Sequence, residues 1–241
     1  MPVPSGRLYG LGVGPGDPEL LTLKALRLLR AVPVVAYPAP DEGDSFARSI
    51  VAAWIVGHQR EIAIRFSMRP GPPPVAIYDS AAAALAAELD RGSDVALLCQ
   101  GDPLFYGSFI HVFVRLAGRY RIEIVPGVSS LTACAAAAGV PLVAHNENLV
   151  VIPATLDEAE ITRRLAGADV AAIVKLGRHL AKVRRVLHQL GLLDRAFYVE
   201  HATLPNQRVA PLGCVDPRDA PYFSMALVGS AGITDAISAS S

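Results

Sequence analysis

The sequence predicts an α/β fold built as two domains. Three observations carry that prediction. In the first half of the chain a strand, a glycine-containing loop and a helix follow one another three times, an alternation that argues for a largely parallel sheet with its loops gathered at one edge. In the second half apolar strands and helices continue to alternate, but residues 207–212 and 222–228 read as strands with only a short connection, which predicts antiparallel pairing there. The change of pattern after Pro141 places a domain boundary within 126–141, dividing the chain into 1–127 and 128–241.

The first strand runs into Gly12-Val13-Gly14-Pro15-Gly16-Asp17-Pro18. Asp17 or Thr22 can cap the helix that follows, with Pro18 at a tolerated first-turn position. Leu23, Leu26 and Leu29 recur there at helical spacing, with Lys24, Arg27 and Arg30 on the polar side. Residues 32–37 form a short apolar strand ending at Pro38, 45–56 a helix, and 61–66 an alternating strand. The proline-rich segment 69–74 cannot be helix or central strand and is a loop. Residues 75–91 form an alanine-rich helix and 94–99 a buried strand. A second loop, Gln100-Gly101-Asp102-Pro103-Leu104-Phe105-Tyr106-Gly107-Ser108, leads into a helix to about 116. Residues 121–125 form a strand, followed by the loop Pro126-Gly127-Val128-Ser129-Ser130 and a helix through 138. Strands at 149–152, 170–176 and 196–199 then alternate with helices at 156–165 and 179–190. The tail 238–241 is small, polar and frayed.

With 241 residues the chain is long enough to bury a substantial core. Its formal net charge of zero gives no electrostatic footprint for nucleic acid, although a local cluster of arginines would suffice for an anionic substrate. The three cysteines, Cys99, Cys134 and Cys214, show neither a C-x-x-C nor a zinc spacing, and read as reduced core residues of a cytoplasmic protein. Residues 1–10 lack the features of a signal peptide, and no uncharged apolar run is long enough to cross a bilayer.

The first loop invites a dinucleotide reading and refuses it. A G-x-G-x-x-G fingerprint counted from Gly10 ends on Pro15, and counted from Gly12 ends on Asp17. Pro15 has no N–H to offer a phosphate, and Asp17 would repel one. The loop is therefore either a tight turn without a ligand or a cradle for a ligand that is not a phosphate. Asp102 can accept bonds from a ligand amine or hydroxyl, or tie its own loop together in an Asx turn. Ser129 and Ser130 can cap the helix they begin or bind a ligand carboxylate. His145 and Glu147 lie in the polar island His145-Asn146-Glu147-Asn148 and are candidate acid–base groups, with a plain surface loop as the alternative. Tyr37 ends a strand, where side chains often face a cleft. No histidine pair has metal-ligand spacing, so no metal is expected. No nucleophile elbow, P-loop or zinc-deaminase signature occurs.

Taken together the motifs are specific in their order. G-x-G-P-G-D-P-E-L-L-T-L-K-A at 12–25, G-D-P at 101–103 with Tyr106-Gly107-Ser108, Pro126-Gly127-Val128-Ser129-Ser130, Val199-Glu200-His201-Ala202-Thr203 with Gln207-Arg208, and Ser224-Met225-Ala226-Leu227-Val228-Gly229 resemble the tetrapyrrole methylase family, the class III methyltransferases that use S-adenosylmethionine. The resemblance covers nearly the whole chain. It implies two α/β domains with the active-site cleft between them, and a homodimer. Carried over, Pro15 would line the cleft, Gln100, Gly101, Asp102 and Phe105 would contact the methionine part of the cofactor, and Ser129 and Ser130 would hold its polar end. Leu176 would pack on the adenosine, and Ala202 with the backbone of Met225 and Ala226 would meet the adenine.

The opening segment and Leu149-Val150-Val151-Ile152-Pro153-Ala154 are most similar to the members that methylate the C20 carbon of precorrin-2, giving precorrin-3A in cobalamin biosynthesis. The resemblance thus implies direct in-line transfer of the sulfonium methyl to C20, with a cobalt-containing substrate or another ring position as the alternative. Arg48, Arg65 and Arg69 are plausible anchors for the carboxylates of that substrate, and also read as ordinary surface charge. Family members acting on uroporphyrinogen carry an Asp at the end of the second strand. Tyr37 stands there in this chain, which argues against that substrate and leaves the general base unassigned. A nucleotide-dependent oxidoreductase and a non-catalytic tetrapyrrole carrier are the competing classes.

Overall fold

The structure is a computed structural model that describes residues 5–66 and 75–230. The proline-rich segment 69–74, expected as a loop and containing Arg69, and the tail 238–241 lie outside the described residues. The chain divides into two compact units, the division falling between Ser129 and Ser130.

The first unit contains β1 (Arg7–Gly12), a 3-10 turn at Pro18–Leu20, α1 (Leu23–Ala31), β2 (Val34–Pro40), α2 (Phe46–Ile50), a 3-10 turn at Ala52–Trp54, β3 (Arg60–Phe66), α3 (Val75–Asp90), β4 (Val95–Cys99), α4 (Phe109–Leu116) and β5 (Arg121–Val125). The strands form one parallel sheet in the order β3-β2-β4-β1-β5. Every residue of β4 is buried, as expected of a strand covered on both faces. Its side chains alternate between two cores. Val95, Leu97 and Cys99 join Leu8, Leu85, Leu89 and Phe109 on one face, while Ala96 and Leu98 join Leu11, Leu29 and Val35 on the other.

Local signals explain the helix starts. Asp17 and Thr22 each cap something: Asp17 accepts from Glu19 N in the 3-10 turn, and Thr22 accepts from Ala25 N at the start of α1. The buried face of α1 is Ala25, Leu28 and Leu29 rather than the expected one through Leu23, which is 85% exposed. Leu23 is the first helical residue, and helical side chains lean toward the N-terminus, so it projects past the end of the packed surface. The helix expected over 45–56 is broken after Ile50; Val51, Ile55, Val56 and Gly57 are weak helix formers. β2 continues through Pro38 to Pro40 instead of stopping, because its pairing with β4 ends at Ala36↔Leu97 and the outer part has β3 as its ladder partner.

The second unit contains α5 (Ser130–Ala138), β6 (Leu149–Pro153), α6 (Glu158–Leu165), β7 (Val170–Val174), a 3-10 turn at Gly177–His179, α7 (Leu180–Gln189), a 3-10 turn at Leu193–Arg195, β8 (Ala196–Glu200), β9 (Arg208–Pro211), a 3-10 turn at Leu212–Cys214 and β10 (Ser224–Val228). The sheet order is β6-β7-β10-β8-β9. β6 and β7 are parallel; β10 is antiparallel to both β7 and β8, and β8 is antiparallel to β9. The two late strands are antiparallel to their neighbours, as the short connection predicted, but they do not pair with each other. β8 lies between them, because the wholly buried β10 belongs in the sheet centre and the exposed β9 at its edge.

Gln59 is the buried polar residue that joins α1 to the segment after α2. Its Nε2 donates to Leu29 O at 2.6 Å and Val32 O at 2.7 Å, and its Oε1 accepts from Val56 N at 2.9 Å. Gln59→Ala leaves those three backbone groups without this partner and is expected to cost about 3 kcal/mol, read as a lower urea midpoint at unchanged slope.

Candidate functional site

In the first unit the C-terminal ends of β4, β1 and β5 are neighbours, so the three glycine loops predicted from sequence emerge side by side. Their backbones touch. A Cβ on Gly12 would lie 2.5 Å from Gly127 N and 2.8 Å from Gly101 O, and one on Gly127 would lie 2.1 Å from Gly101 O. Only glycine permits an approach this close. Gly14 and Gly101 exchange backbone hydrogen bonds, with Gly101 N donating to Gly14 O at 2.7 Å and Gly14 N to Gly101 O at 3.4 Å.

Asp102 binds this junction together. Its Oδ1 accepts from Leu104 N at 2.9 Å, the Asx turn that the sequence allowed, and its Oδ2 accepts from Gly127 N at 3.1 Å. Both carboxylate oxygens therefore hold loop backbone. Pro15 is buried at the head of the first loop, and Gln100 and Phe105 are half-buried. Tyr106, beside Phe105, is 44% exposed with a φ of 55°, a strained conformation for an aromatic residue. Among loop residues 12–17, 100–108 and 126–130 there is no lysine or arginine, and the charged side chains are Asp17 and Asp102.

Tyr37 lies toward the C-terminal end of β2 in a small polar cluster. Arg48 on α2 grips Glu61 on β3 through two bonds, Nε to Oε2 at 2.6 Å and Nη2 to Oε1 at 2.9 Å. Arg48 thus has a protein carboxylate as partner through two of its three nitrogens. The Arg48 bond holds the Glu61 carboxyl below its usual range, and burial followed by the bond to Glu61 raises the Tyr37 phenol. The cluster offers a neutral phenol beside a weakly basic carboxylate, a poor general base. Arg65 Nη1 donates to Pro40 O at 2.8 Å and Asp41 O at 3.0 Å, clamping the chain after β2.

In the second unit the other candidate residues gather where the backbone is irregular. After β7, Lys175 has a φ of 58° and Gly177 one of 34°; after β8, His201 and Thr203 have φ of 50° and 70° and flank Ala202. Such conformations persist only where the surroundings over-determine them, and they concentrate at ligand sites. His201 N donates to Phe223 O at 3.0 Å, Asn206 Nδ2 meets His201 Nδ1 at 2.9 Å, and Thr203 N donates to Gln207 Oε1 at 2.7 Å. The Leu176 side chain is fully buried in the core under α6 and α7. Met225 is buried on the face of β10 covered by α5, and Ala226 on the opposite face. Tyr198 donates its hydroxyl to Glu200, and burial followed by that bond raises its phenol strongly.

His145 has a φ of 48°. Glu147 Oε2 accepts from Ala144 N at 2.8 Å, and its Oε1 accepts from the Ser230 hydroxyl, so this carboxylate closes its own turn. The sequence did not single out Glu61, and Ser224 entered only as the first residue of the motif at 224–229; the partners of both lie far away along the chain.

The family model Tetrapyrrole (Corrin/Porphyrin) Methylases matches residues 7–213, and the chain belongs to that family. The chain is 45% identical over 232 residues to the cobalamin biosynthesis protein CobIJ of Mycobacterium tuberculosis, covering 92% of this chain and 46% of the relative, so it spans about half of that protein's length. It is 42% identical over 232 residues to the precorrin-2 C(20)-methyltransferase of a Sinorhizobium species, covering 92% of this chain and 95% of the relative. A crystal structure of the uroporphyrin-III C-methyl transferase from Thermus thermophilus complexed with S-adenyl homocysteine matches with a TM-score of 0.68 and 26% identity, covering 92% of this chain and 97% of that one.

The glycine junction generates a direct prediction. Gly127→Ala forces backbone apart and should cost about 3 kcal/mol, whereas Gly57→Ala, where an added Cβ meets nothing within 4 Å, should stay within about 0.5 kcal/mol. Chemical denaturation of the two variants side by side checks the contrast.

Proposed function

We propose that this chain transfers a methyl group from S-adenosylmethionine to the C20 carbon of precorrin-2, giving precorrin-3A in cobalamin biosynthesis. The observation that carries the reading is the glycine junction of three loops without a single cation, which suits a donor bearing a positive sulfonium and does not suit a phosphate. Similarity to the Sinorhizobium precorrin-2 enzyme supports the substrate, and similarity to the Thermus structure with its bound S-adenyl homocysteine supports the donor.

The donor supplies an electrophilic methyl group; the chain's own contribution is positioning. In the first unit Pro15, Gln100, the Gly101 backbone, Phe105 and Ser129 are the proposed contacts, with Asp102 acting chiefly to hold the loops in register. In the second unit Ser130, the backbone at Leu176, Ala202, and the backbone of Met225 and Ala226 are the proposed contacts. A polycarboxylate macrocycle needs cationic anchors, and Arg48, Arg65 and Arg69 are the candidates for that role. We further propose a cytoplasmic homodimer. The family resemblance supports the dimer, and the three free cysteines support a reducing compartment.

The deciding experiment incubates precorrin-2 with this protein and S-adenosylmethionine carrying a carbon-13 methyl. Gain of one labelled methyl by mass spectrometry, located at C20 by NMR, is the expected result. A gain only with the cobalt complex would move the substrate to the cobalt-containing form, and no gain with either would overturn the substrate assignment. Gly101→Arg is expected to abolish S-adenosylmethionine binding in calorimetry. Gly101 has a φ of 67° and stands at the loop junction, so a long side chain there strains the backbone and blocks its face.

A further inference from the structure

Ser224 is a buried polar residue at the start of β10, and both hydrogen-bonding roles of its hydroxyl are used. Its Oγ accepts from Gly177 N at 3.2 Å and donates to Pro221 O at 2.6 Å. The first bond links residues 47 positions apart in sequence, at the edge of the sheet where the C-terminal end of β7 lies beside the start of β10.

The register shows why that link matters. The β7–β10 ladder runs Val228↔Ala171, Leu227↔Ala172 and Ala226↔Ile173 and then stops. On its other side β7 stays paired with β6 to its end, through Pro153↔Val174 and the bond from Ala154 N to Val174 O at 2.8 Å. The segment Lys175, Leu176 and Gly177 lies past the end of the β10 ladder and carries two residues with positive φ. An N–H that has left a ladder inside a protein needs another acceptor. The Ser224 side chain supplies it at Gly177. On its other side Ser224 stays in register with β8, opposite Glu200, next to the irregular segment at His201 and Thr203. One hydroxyl therefore ties the loop after β7 to the strand that stands beside the loop after β8.

We propose that Ser224 is a positioning residue for the methyl-donor site: its hydroxyl fixes the backbone of residues 175–177 against the start of β10. This rests on the reading that the Leu176 backbone and Met225–Ala226 border the donor. Ser224 need not touch the donor itself. It acts through Gly177 and Pro221, whose backbone groups it holds.

The test measures binding of S-adenosylhomocysteine by calorimetry to the full chain and to Ser224→Ala, Ser224→Thr and Ser224→Cys, with folding checked by circular dichroism. Loss of the bond and exposure of a buried N–H to no partner should weaken binding about tenfold in Ser224→Ala. Ser224→Thr, which keeps the hydroxyl, should return to within about threefold of the parent. In turnover assays Ser224→Ala should raise KM for the donor more than it lowers kcat. Thr162→Ala removes a hydroxyl bond to Glu158 O inside α6 of the same unit and should leave affinity unchanged. Should Ser224→Ala fail to fold, Ser224→Cys decides, since its weakly accepting sulfur should give an intermediate loss. Parent-like affinity in whichever of these two variants folds, with lower thermal stability alone, would overturn the positioning role while leaving the donor assignment intact. No binding by the parent chain would overturn the donor assignment and this proposal with it.

Discussion

The contact on which the rest of the first unit depends is backbone against backbone, where Gly12, Gly101 and Gly127 meet at the ends of three adjacent parallel strands. Because β4, β1 and β5 are neighbours, their following loops compete for one small region above the sheet. Distances of 2.1 to 2.8 Å from an added Cβ to neighbouring backbone leave room for no side chain there. The compact crossing keeps the loops short and close, and Asp102 converts proximity into a fixed arrangement by accepting one N–H from its own loop and one from the loop after β5. A carboxylate accepting backbone N–H groups is a strong, charge-assisted tie. The residue types that sequence inspection marks as ligand-binding are thus first the means of building the loops.

Electrostatics then restricts what such a surface can hold. Helix N-termini and glycine turns are commonly used for phosphates, and there they are accompanied by N–H groups and cations. Here Pro15 removes a donor, Asp17 and Asp102 supply negative charge, and no lysine or arginine occurs in the three loops. Two arginines near the outer end of β2 hold protein oxygens, Arg48 those of Glu61 and Arg65, through Nη1, the carbonyls of Pro40 and Asp41. A cationic donor without phosphate is the ligand complementary to such loops.

The second unit reaches an irregular surface by another route. Its loops after β7 and β8 use non-glycine residues in left-handed conformations, at Lys175, His201 and Thr203, each costing on the order of 1 kcal/mol or more. Side chains fix them: Ser224 at Gly177, Gln207 at Thr203, Asn206 at His201. Strain of this kind has little value for stability, and its concentration at the ends of two strands is consistent with a ligand-binding role for those ends.

The sequence by itself determined the fold class, the order of the elements and the three loops of the first unit, because hydrophobic period and glycine or proline punctuation are local and each follows from a few neighbouring residues. It also determined the family, through motifs spread along the chain. The tertiary structure alone decided the rest. It inserted β10 between β7 and β8, since strand order depends on which strand needs burial on both faces. It paired Arg48 with Glu61 and buried the Leu176 side chain in the core of the second unit. It gave Ser224 a role that no neighbour in sequence reveals. Those properties are set by partners tens of residues away, and a hydrogen bond or a buried face has no sequence signature until the chain has folded to bring its two sides together.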